Sequence, residues 1–75
     1  MNFDSLKRGD RARISSFDGL ADAYRNRLLS LGLTPGTEIV IEHIAPLGDP
    51  VEIVVRGFRL SLRREEAAGV VVEKL

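Results

Sequence analysis

The sequence has no cysteine, no tryptophan and a single histidine in 75 residues. Without cysteine the chain can form neither a disulfide bond nor a thiolate zinc site. No apolar run approaches the ~20 residues that are needed to cross a bilayer. The first residues, MNFDSLKRGD, lack the long apolar core of a secretory signal. These absences predict a cytoplasmic domain that is not embedded in a membrane.

An excess of charge of one sign is also missing, because eleven Lys and Arg residues balance eleven Asp and Glu residues. A general nucleic-acid binder carries a strong basic excess, so nucleic acid is not an expected partner. Catalytic motifs are absent as well, since the chain contains neither a G-x-S-x-G elbow nor a G-x-x-x-x-G-K-[ST] phosphate loop. We therefore expect a protein that is not an enzyme. Its length predicts one domain, residues 1–75, with a small core.

Residues 28–41, LLSLGLTPGTEIVI, contain an apolar run that is interrupted twice. The first interruption ends a helix, because Gly32 suits a left-handed C-cap and Pro35 forbids helix continuation. The second is a type II turn with Pro35 and Gly36 at its central positions. Both glycines are expected to have a positive φ. The helix itself is predicted from apolar residues at helical spacing, and it begins near Ser16, Asp18 or Gly19. Those apolar residues are Leu20, Ala23, Tyr24, Leu28 and Leu31.

Several short segments have the β-branched or alternating composition of strands. The segment REEAA that follows the fourth of them can hold one helical turn. Five short strands with one α-helix inserted after the first predict a mainly β fold. A closed, five-stranded SH3-like barrel is the economical solution, because closure removes the sheet edges. The predicted strands are Arg11–Ile14, Thr37–Ile44, Val51–Arg56, Phe58–Arg63 and the segment GVVVE, and Phe58, Leu60 and Leu62 are expected to face inward.

Leu29 does not fit the helical pattern, because it lies nearly opposite Leu20 on an ideal wheel. One alternative is a broad buried face that includes Leu29. The other leaves Leu29 outside as part of an apolar surface for a partner protein. Arg25 would flank that surface and bind a carboxylate of the partner. The further residues of this predicted surface are Leu33, Pro35, Pro46 and Leu47.

His43 is the side chain with the widest chemical range, because imidazole binds transition metals near neutral pH. If the flanking strands pair, Glu52 lies across from it or one pair away. A histidine and a carboxylate make only half of a tight site. The alternatives are an exposed strand histidine and a weak metal contact, binding Fe²⁺ or Zn²⁺, that could bridge two subunits of a homodimer. No cofactor is required by the sequence.

Four arginines, Arg56, Arg59, Arg63 and Arg64, form a basic stripe along the fourth strand and its end. They could meet phosphate, nucleic acid or an acidic protein surface. Alternatively, they keep the outer face of the sheet soluble and pair with nearby glutamates. The glutamates considered are Glu65, Glu66 and Glu73.

Three segments in this order, AYRNRLLSLGLTPGTEI, APLGDPVEI and LSLRREEA, together resemble the FeoA family. These are small cytoplasmic proteins associated with bacterial ferrous iron uptake. The resemblance runs from about Ala23 to Ala67. It implies an SH3-like barrel with an inserted helix. It also implies an accessory role beside FeoB, a membrane permease with a GTP-binding domain.

The fold is also similar to the C-terminal domain of iron-dependent repressors of the diphtheria-toxin-repressor kind. This likeness leaves a second function open, a small interaction module that responds to a transition metal or an anion.

Overall fold

Five antiparallel strands form one sheet in the computed structural model, which describes residues 1–75. The strands are β1 (Arg11–Phe17), β2 (Glu38–Ile44), β3 (Val51–Val55), β4 (Phe58–Leu62) and β5 (Val70–Lys74), in the spatial order β4-β3-β2-β1-β5. Helix α1 (Asp22–Ser30) connects β1 to β2, and the short helix α2 (Arg64–Ala67) connects β4 to β5. A 3₁₀ turn, η1 (Phe3–Ser5), precedes β1. The predicted order of strands and helices is confirmed.

Strand β1 extends three residues beyond Ile14, where the sequence analysis ended it. Its pairing with β5 shifts between Ile14 and Ser16, which marks a β-bulge. Strand β2 has the same irregularity between Ile41 and His43. A bulge places two consecutive polar residues between inward apolar ones, so strict alternation fails at that point. This explains why the polar pair Ser15–Ser16 does not end β1.

The sheet is not hydrogen-bonded all the way round, so the expected closure is wrong in this detail. The outer edge of β5 pairs with the start of the chain. Val72 N donates to Met1 O over 2.7 Å, and Asn2 forms an isolated antiparallel β-bridge with Val71. Strand β4 pairs with β3 alone. Residues of η1 and α2 fill the gap between the two edges, and Phe3 and Ala67 are buried there. The result is a barrel-like sheet with an open seam.

Fifteen hydrophobic residues form one buried cluster inside the curved sheet. Strands β1, β2, β3 and β5 each contribute alternate residues to it, as a half-buried sheet requires. No helix of this structure is both long enough and apolar enough to span a membrane. The cluster comprises Phe3, Leu6, Ala12, Ile14, Leu28, Leu33, Ile39, Ile41, Val51, Ile53, Val55, Leu62, Ala67, Val70 and Val72.

Helix α1 is held mainly at its C-terminal half. Leu28 is its only buried residue, and Arg27 forms an ion pair of 3.1 Å with Glu66 of α2. The expected buried stripe is therefore wrong for the first turn, where Ala23 and Tyr24 are exposed. The helix also begins later than predicted, because its N-cap is Ala21, which provides no side-chain cap. Ser16 belongs to β1 instead.

The turn after α1 has the predicted conformation. Gly32 has a φ of 91° and Gly36 a φ of 92°, as expected. Thr37 N donates to Thr34 O over 3.0 Å, which closes the turn. Gly36 N also donates to Ile14 O over 2.7 Å, so the turn is attached to β1. A backbone fixed in this way presents Pro35 in a defined position.

Candidate partner-binding surface

Three segments meet at one end of the sheet: the C-terminus of α1, the turn 34–37 and the tip of the β3–β4 hairpin. Ile39 at the start of β2 pairs with Val55 at the end of β3, which places the hairpin tip beside the turn. Arg56 at the tip donates from Nη2 to Thr37 Oγ1 over 3.3 Å. We call this region the turn-end surface and define it by the side chains of Leu29, Pro35, Arg56 and Phe58.

Three of the four side chains in the turn-end surface are apolar and exposed. Leu29 is 36% exposed, Phe58 is 47% exposed, and Pro35 is also exposed. The alternative in which Leu29 lies outside the core is therefore the one observed. Phe58 pairs with the buried Val55 and so lies on the inward face of β4, as expected, but it is not buried. It begins β4, the edge strand that pairs with β3 alone.

Leu33 does not belong to this surface, contrary to the sequence analysis. It is 2% exposed and lies in the core. The positive φ of Gly32 turns the chain back toward the barrel, and Leu33 N then donates to Leu28 O over 3.0 Å. The leucine that precedes the turn by one position is therefore core and cannot contact a partner.

Arg25 is exposed on the solvent side of α1. Its closest carboxylate is that of Asp22, one helical turn earlier, with an Nη2 to Oδ1 distance of 3.9 Å. Both groups are at least half exposed, and such an i,i+3 pair contributes little to stability. Arg25 is thus free to change partners.

The loop 45–50 lies at the other end of β2 from the turn 34–37. A seven-residue strand spans roughly 20 Å, so the expectation that this loop adjoins the turn is not supported. Pro46 and Leu47 are nevertheless exposed, Leu47 by 97%. Gly48 N donates to Ala45 O over 2.7 Å, and Arg64 Nε donates to Gly48 O. The loop is a second, separate candidate surface with a fixed backbone.

The basic stripe is largely neutralised by acidic residues. Arg59 contacts Glu42 at 3.2 Å, Arg63 contacts Asp49 at 3.8 Å, and Arg64 contacts Asp4 at 3.1 Å. These carboxylates are not the glutamates that the sequence analysis considered. Because its charges are paired, the stripe does not form a continuous site for phosphate groups. Arg56 is the exception and forms no ion pair.

His43 and Glu52 lie directly across from each other on β2 and β3, as the hairpin prediction required. The bulge turns His43 to the solvent side together with Glu42. Glu52 also lies 3.9 Å from Arg59 Nε, so it has a competing partner. The structure brings together no group of three or more His, Cys, Asp or Glu side chains that could hold a metal ion. The pair remains half of a site.

Asp10 has a carboxylate that the fold stabilises in its ionised form. Lys7 N donates to Asp10 Oδ2 over 2.7 Å, and Lys74 Nζ lies 3.5 Å from Oδ1. The backbone hydrogen bond from Lys7 lowers the pKa of Asp10 below its ordinary value, and this effect exceeds the opposing effect of desolvation. The charge of Lys74 lowers the pKa further by a smaller amount. Asp10 directly precedes β1, and its carboxylate joins the segment before that strand to Lys74 at the end of β5.

A family model described as the FeoA domain matches residues 1–74. The chain belongs to the FeoA family. Among curated proteins, it is 38% identical over 73 residues to the Fe(2+) transport protein A/Fe(2+) transporter FeoB fusion protein of Porphyromonas gingivalis. The match covers 97% of this chain but only 8% of the fusion protein, so the chain spans a small part of that relative.

Solved structures share the fold over nearly the whole FeoA-family chain. The FeoA protein of Chlorobium tepidum is 43% identical with a TM-score of 0.89, covering all of this chain and 70% of that one. Stenotrophomonas maltophilia FeoA, solved in complex with zinc and described as an SH3 domain protein, is 33% identical with a TM-score of 0.83 and coverages of 97% and 89%. T. acidophilum IdeR is 28% identical with a TM-score of 0.89, and the match covers all of this chain and 34% of IdeR. The SH3-like fold expected from the sequence is confirmed.

Sequence reasoning missed two members of the turn-end surface. The sequence pattern groups Arg56 with the basic stripe and Phe58 with the inward-facing residues of β4. The sequence does contain a signal for both residues. Arg56–Gly57 is a two-residue interval between two strands, and such an interval predicts a hairpin tip. Residues at and beside such a tip are less covered than those at mid-strand.

Proposed function

We propose that this protein is a cytoplasmic accessory protein of bacterial ferrous iron uptake that acts by binding the FeoB permease as a single domain, residues 1–75. The observation that carries the proposal is the Porphyromonas gingivalis fusion, in which a similar domain and FeoB form one chain. Covalent joining keeps two domains at a high effective concentration, which favours a contact between them. In this role the protein performs no chemical step and binds no required cofactor.

The turn-end surface is the proposed contact with FeoB. Exposed leucine and phenylalanine side chains at the same end of the sheet as an unpaired arginine have the composition of an interface centre. Pro35 lies on a turn whose backbone is already hydrogen-bonded, so docking costs little conformational entropy. Arg25, on the preceding helix, extends the surface toward solvent.

The test is co-purification of this protein with full-length FeoB of the same cell, with and without guanine nucleotide. Leu29→Glu places a charge in the middle of the proposed contact and should lower both FeoB recovery and ferrous iron uptake. Arg25→Glu reverses a flanking charge and should have a smaller effect in the same direction. Leu75→Glu is the matched control, because Leu75 is 48% exposed and follows β5, at the other edge of the sheet.

Circular dichroism must show that each variant is folded. If Leu29→Glu and Arg25→Glu are folded and support normal uptake and recovery, FeoB contacts another face. Leu47→Glu then tests the loop 45–50, whose exposed leucine is the next candidate. If wild-type protein fails to co-purify under every nucleotide condition, the proposed function is wrong.

A second candidate function is a metal-responsive interaction module. It is favoured by the likeness to about one third of T. acidophilum IdeR and by the facing pair His43 and Glu52. A module of this kind would change its association state or its partner affinity when Fe²⁺ or Zn²⁺ is added. Sedimentation with and without each metal distinguishes it from the first proposal, which requires no such response.

A further inference from the structure

Arg56 occupies a backbone position that disfavours arginine. It is the first central residue of the two-residue turn between β3 and β4, closed by the pair Val55 and Phe58, and its φ is 51°. It is the only residue other than glycine with a positive φ in this chain. Turns of this kind need positive φ at both central residues and strongly prefer asparagine, aspartate or glycine at the first. Asn-Gly would therefore stabilise this turn better than Arg-Gly does.

The side chain of Arg56 is nevertheless held in one place. Its Nη2 donates to Oγ1 of Thr37, a residue that is 7% exposed. The Thr37 hydroxyl donates its own proton to Gly32 O over 3.3 Å, so it can only accept from Arg56 and from Thr34 Oγ1, which lies 3.0 Å away. The Nε atom of Arg56 faces Gly32, 3.9 Å from where a Cβ atom would be. One N–H of the guanidinium is used, and the others have no partner in the protein.

Arg56 is also unusual in having no carboxylate partner. Of the eleven Lys and Arg side chains, eight form ion pairs. The other two without one, Lys7 and Arg8, lie in the exposed segment before β1. Arg56 instead contacts the turn after α1 through Thr37, at the end of the sheet where Leu29, Pro35 and Phe58 are exposed. An oriented, unpaired guanidinium in such surroundings has the chemistry of a recognition residue.

We infer that Arg56 binds a carboxylate of the partner protein, an Asp or Glu side chain or a chain terminus, while apolar residues of that partner cover Leu29 and Phe58. This inference rests on the proposed function and specifies the chemistry of its contact. The planar guanidinium matches a carboxylate through two parallel hydrogen bonds. Apolar cover removes water from the pair and strengthens their attraction.

A phosphate or a nucleic acid fits this position less well. Polyanions are bound by several cations together, whereas Arg56 is a single free charge. The next arginine along the chain, Arg59, already contacts Glu42 and Glu52. One cation beside apolar side chains is suited to one carboxylate.

The test uses Arg56→Asn, which creates the preferred Asn-Gly turn and removes the guanidinium. The probe is full-length FeoB of the same cell, the partner used in the co-purification test of the proposed function. Calorimetry or interferometry should show affinity reduced about tenfold or more, as expected for a charge-assisted hydrogen bond. Thermal melting should show no loss of stability, because relief of the positive φ offsets the lost contact with Thr37.

Arg8→Asn is the matched control, since it removes another unpaired arginine and should leave affinity unchanged. Arg56→Lys keeps the charge and should retain part of the affinity. The affinity of wild-type protein should also fall more steeply with added NaCl than that of Arg56→Asn.

Each adverse outcome has a distinct meaning. Equal binding by wild type and Arg56→Asn overturns the inference and leaves the proposed function standing. Absence of binding by the wild type overturns both. A melting temperature of Arg56→Asn more than a few degrees below wild type also overturns the inference, because Arg56 would then serve the fold. An equal loss of affinity in Arg8→Asn would show that the effect is one of general charge.

Discussion

Gly69 is the position where one added methyl group should do most damage. A Cβ atom built on Gly69 would lie 2.5 Å from Asp18 O, 2.8 Å from Leu20 Cβ and 3.0 Å from Leu20 N. Two of these atoms belong to the backbone and cannot rotate away. The segments are also joined directly, because Asp18 N donates to Gly69 O over 2.7 Å. Replacing Gly69 by alanine must therefore separate the start of β5 from the chain that leads into α1.

The cost can be estimated from the two interactions that suffer. Overpacking a tight site costs about 1–3 kcal/mol. Lengthening the hydrogen bond between Asp18 and Gly69 costs up to about 1 kcal/mol more. A domain of this length has a total stability of about 4–11 kcal/mol. We therefore expect Gly69→Ala to lose about 2–4 kcal/mol and to melt about 10–25 °C below wild type.

The assay is thermal and urea unfolding followed by circular dichroism. Gly19→Ala is the matched control in the neighbouring segment, because its Cβ would have no atom within 4 Å and its φ is 69°. That control should lose only about 1 kcal/mol, the cost of alanine in a left-handed conformation. If Gly69→Ala melts within a few degrees of wild type, or no lower than Gly19→Ala, the close approach of these segments is not real.

Two further predictions concern titrating groups. Because the pKa of Asp10 is lowered in the fold, its interactions with Lys7 N and Lys74 stabilise the protein above the unfolded pKa of about 3.9 and are lost as pH falls through the folded pKa. Asp10→Asn should therefore melt lower at pH 7 and show a shallower decline below pH ~4, and parallel melting curves from pH 2 to 7 would contradict this. If His43 and Glu52 contribute to a metal contact, Zn²⁺ or Fe²⁺ binding measured by calorimetry should weaken as pH falls through about 6.5, where protons compete for the imidazole. Identical isotherms for wild type and His43→Ala would remove His43 from consideration.

The sequence predicted those parts of the fold that depend on local chemistry. The type II turn follows from Pro35 and Gly36, since each residue prefers the backbone conformation that its position requires. Strand β3 is β-branched and paired on both sides, so composition and context agree. The one-turn helix α2 was also predicted, and Glu66 fixes its start by accepting from Arg63 N over 3.0 Å.

The errors occurred where burial depends on distant parts of the chain. Leu33 and Leu29 are four residues apart and chemically identical, yet Leu33 is in the core and Leu29 is 36% exposed. The difference arises because Gly32 reverses the chain between them, which places Leu33 over the barrel. The bulges in β1 and β2 are of the same kind, because a shift in register is set by the partner strand and leaves only a weak mark on the sequence.

The exposed apolar residues of α1 show why sequence pattern alone could not locate the binding surface. Apolar spacing indicates that a face will be covered, and the free energy gained per unit of buried area is the same whether the cover is the protein's own barrel or a partner. An isolated nine-residue helix is marginal in water, so α1 depends on tertiary contacts for its stability. Those contacts are concentrated at Leu28 and at the ion pair between Arg27 and Glu66. Tyr24 and Leu29 remain more than one third exposed, and a partner that buries them stabilises the folded protein by mass action. The element that the barrel covers least is therefore the one whose stability should respond most to binding.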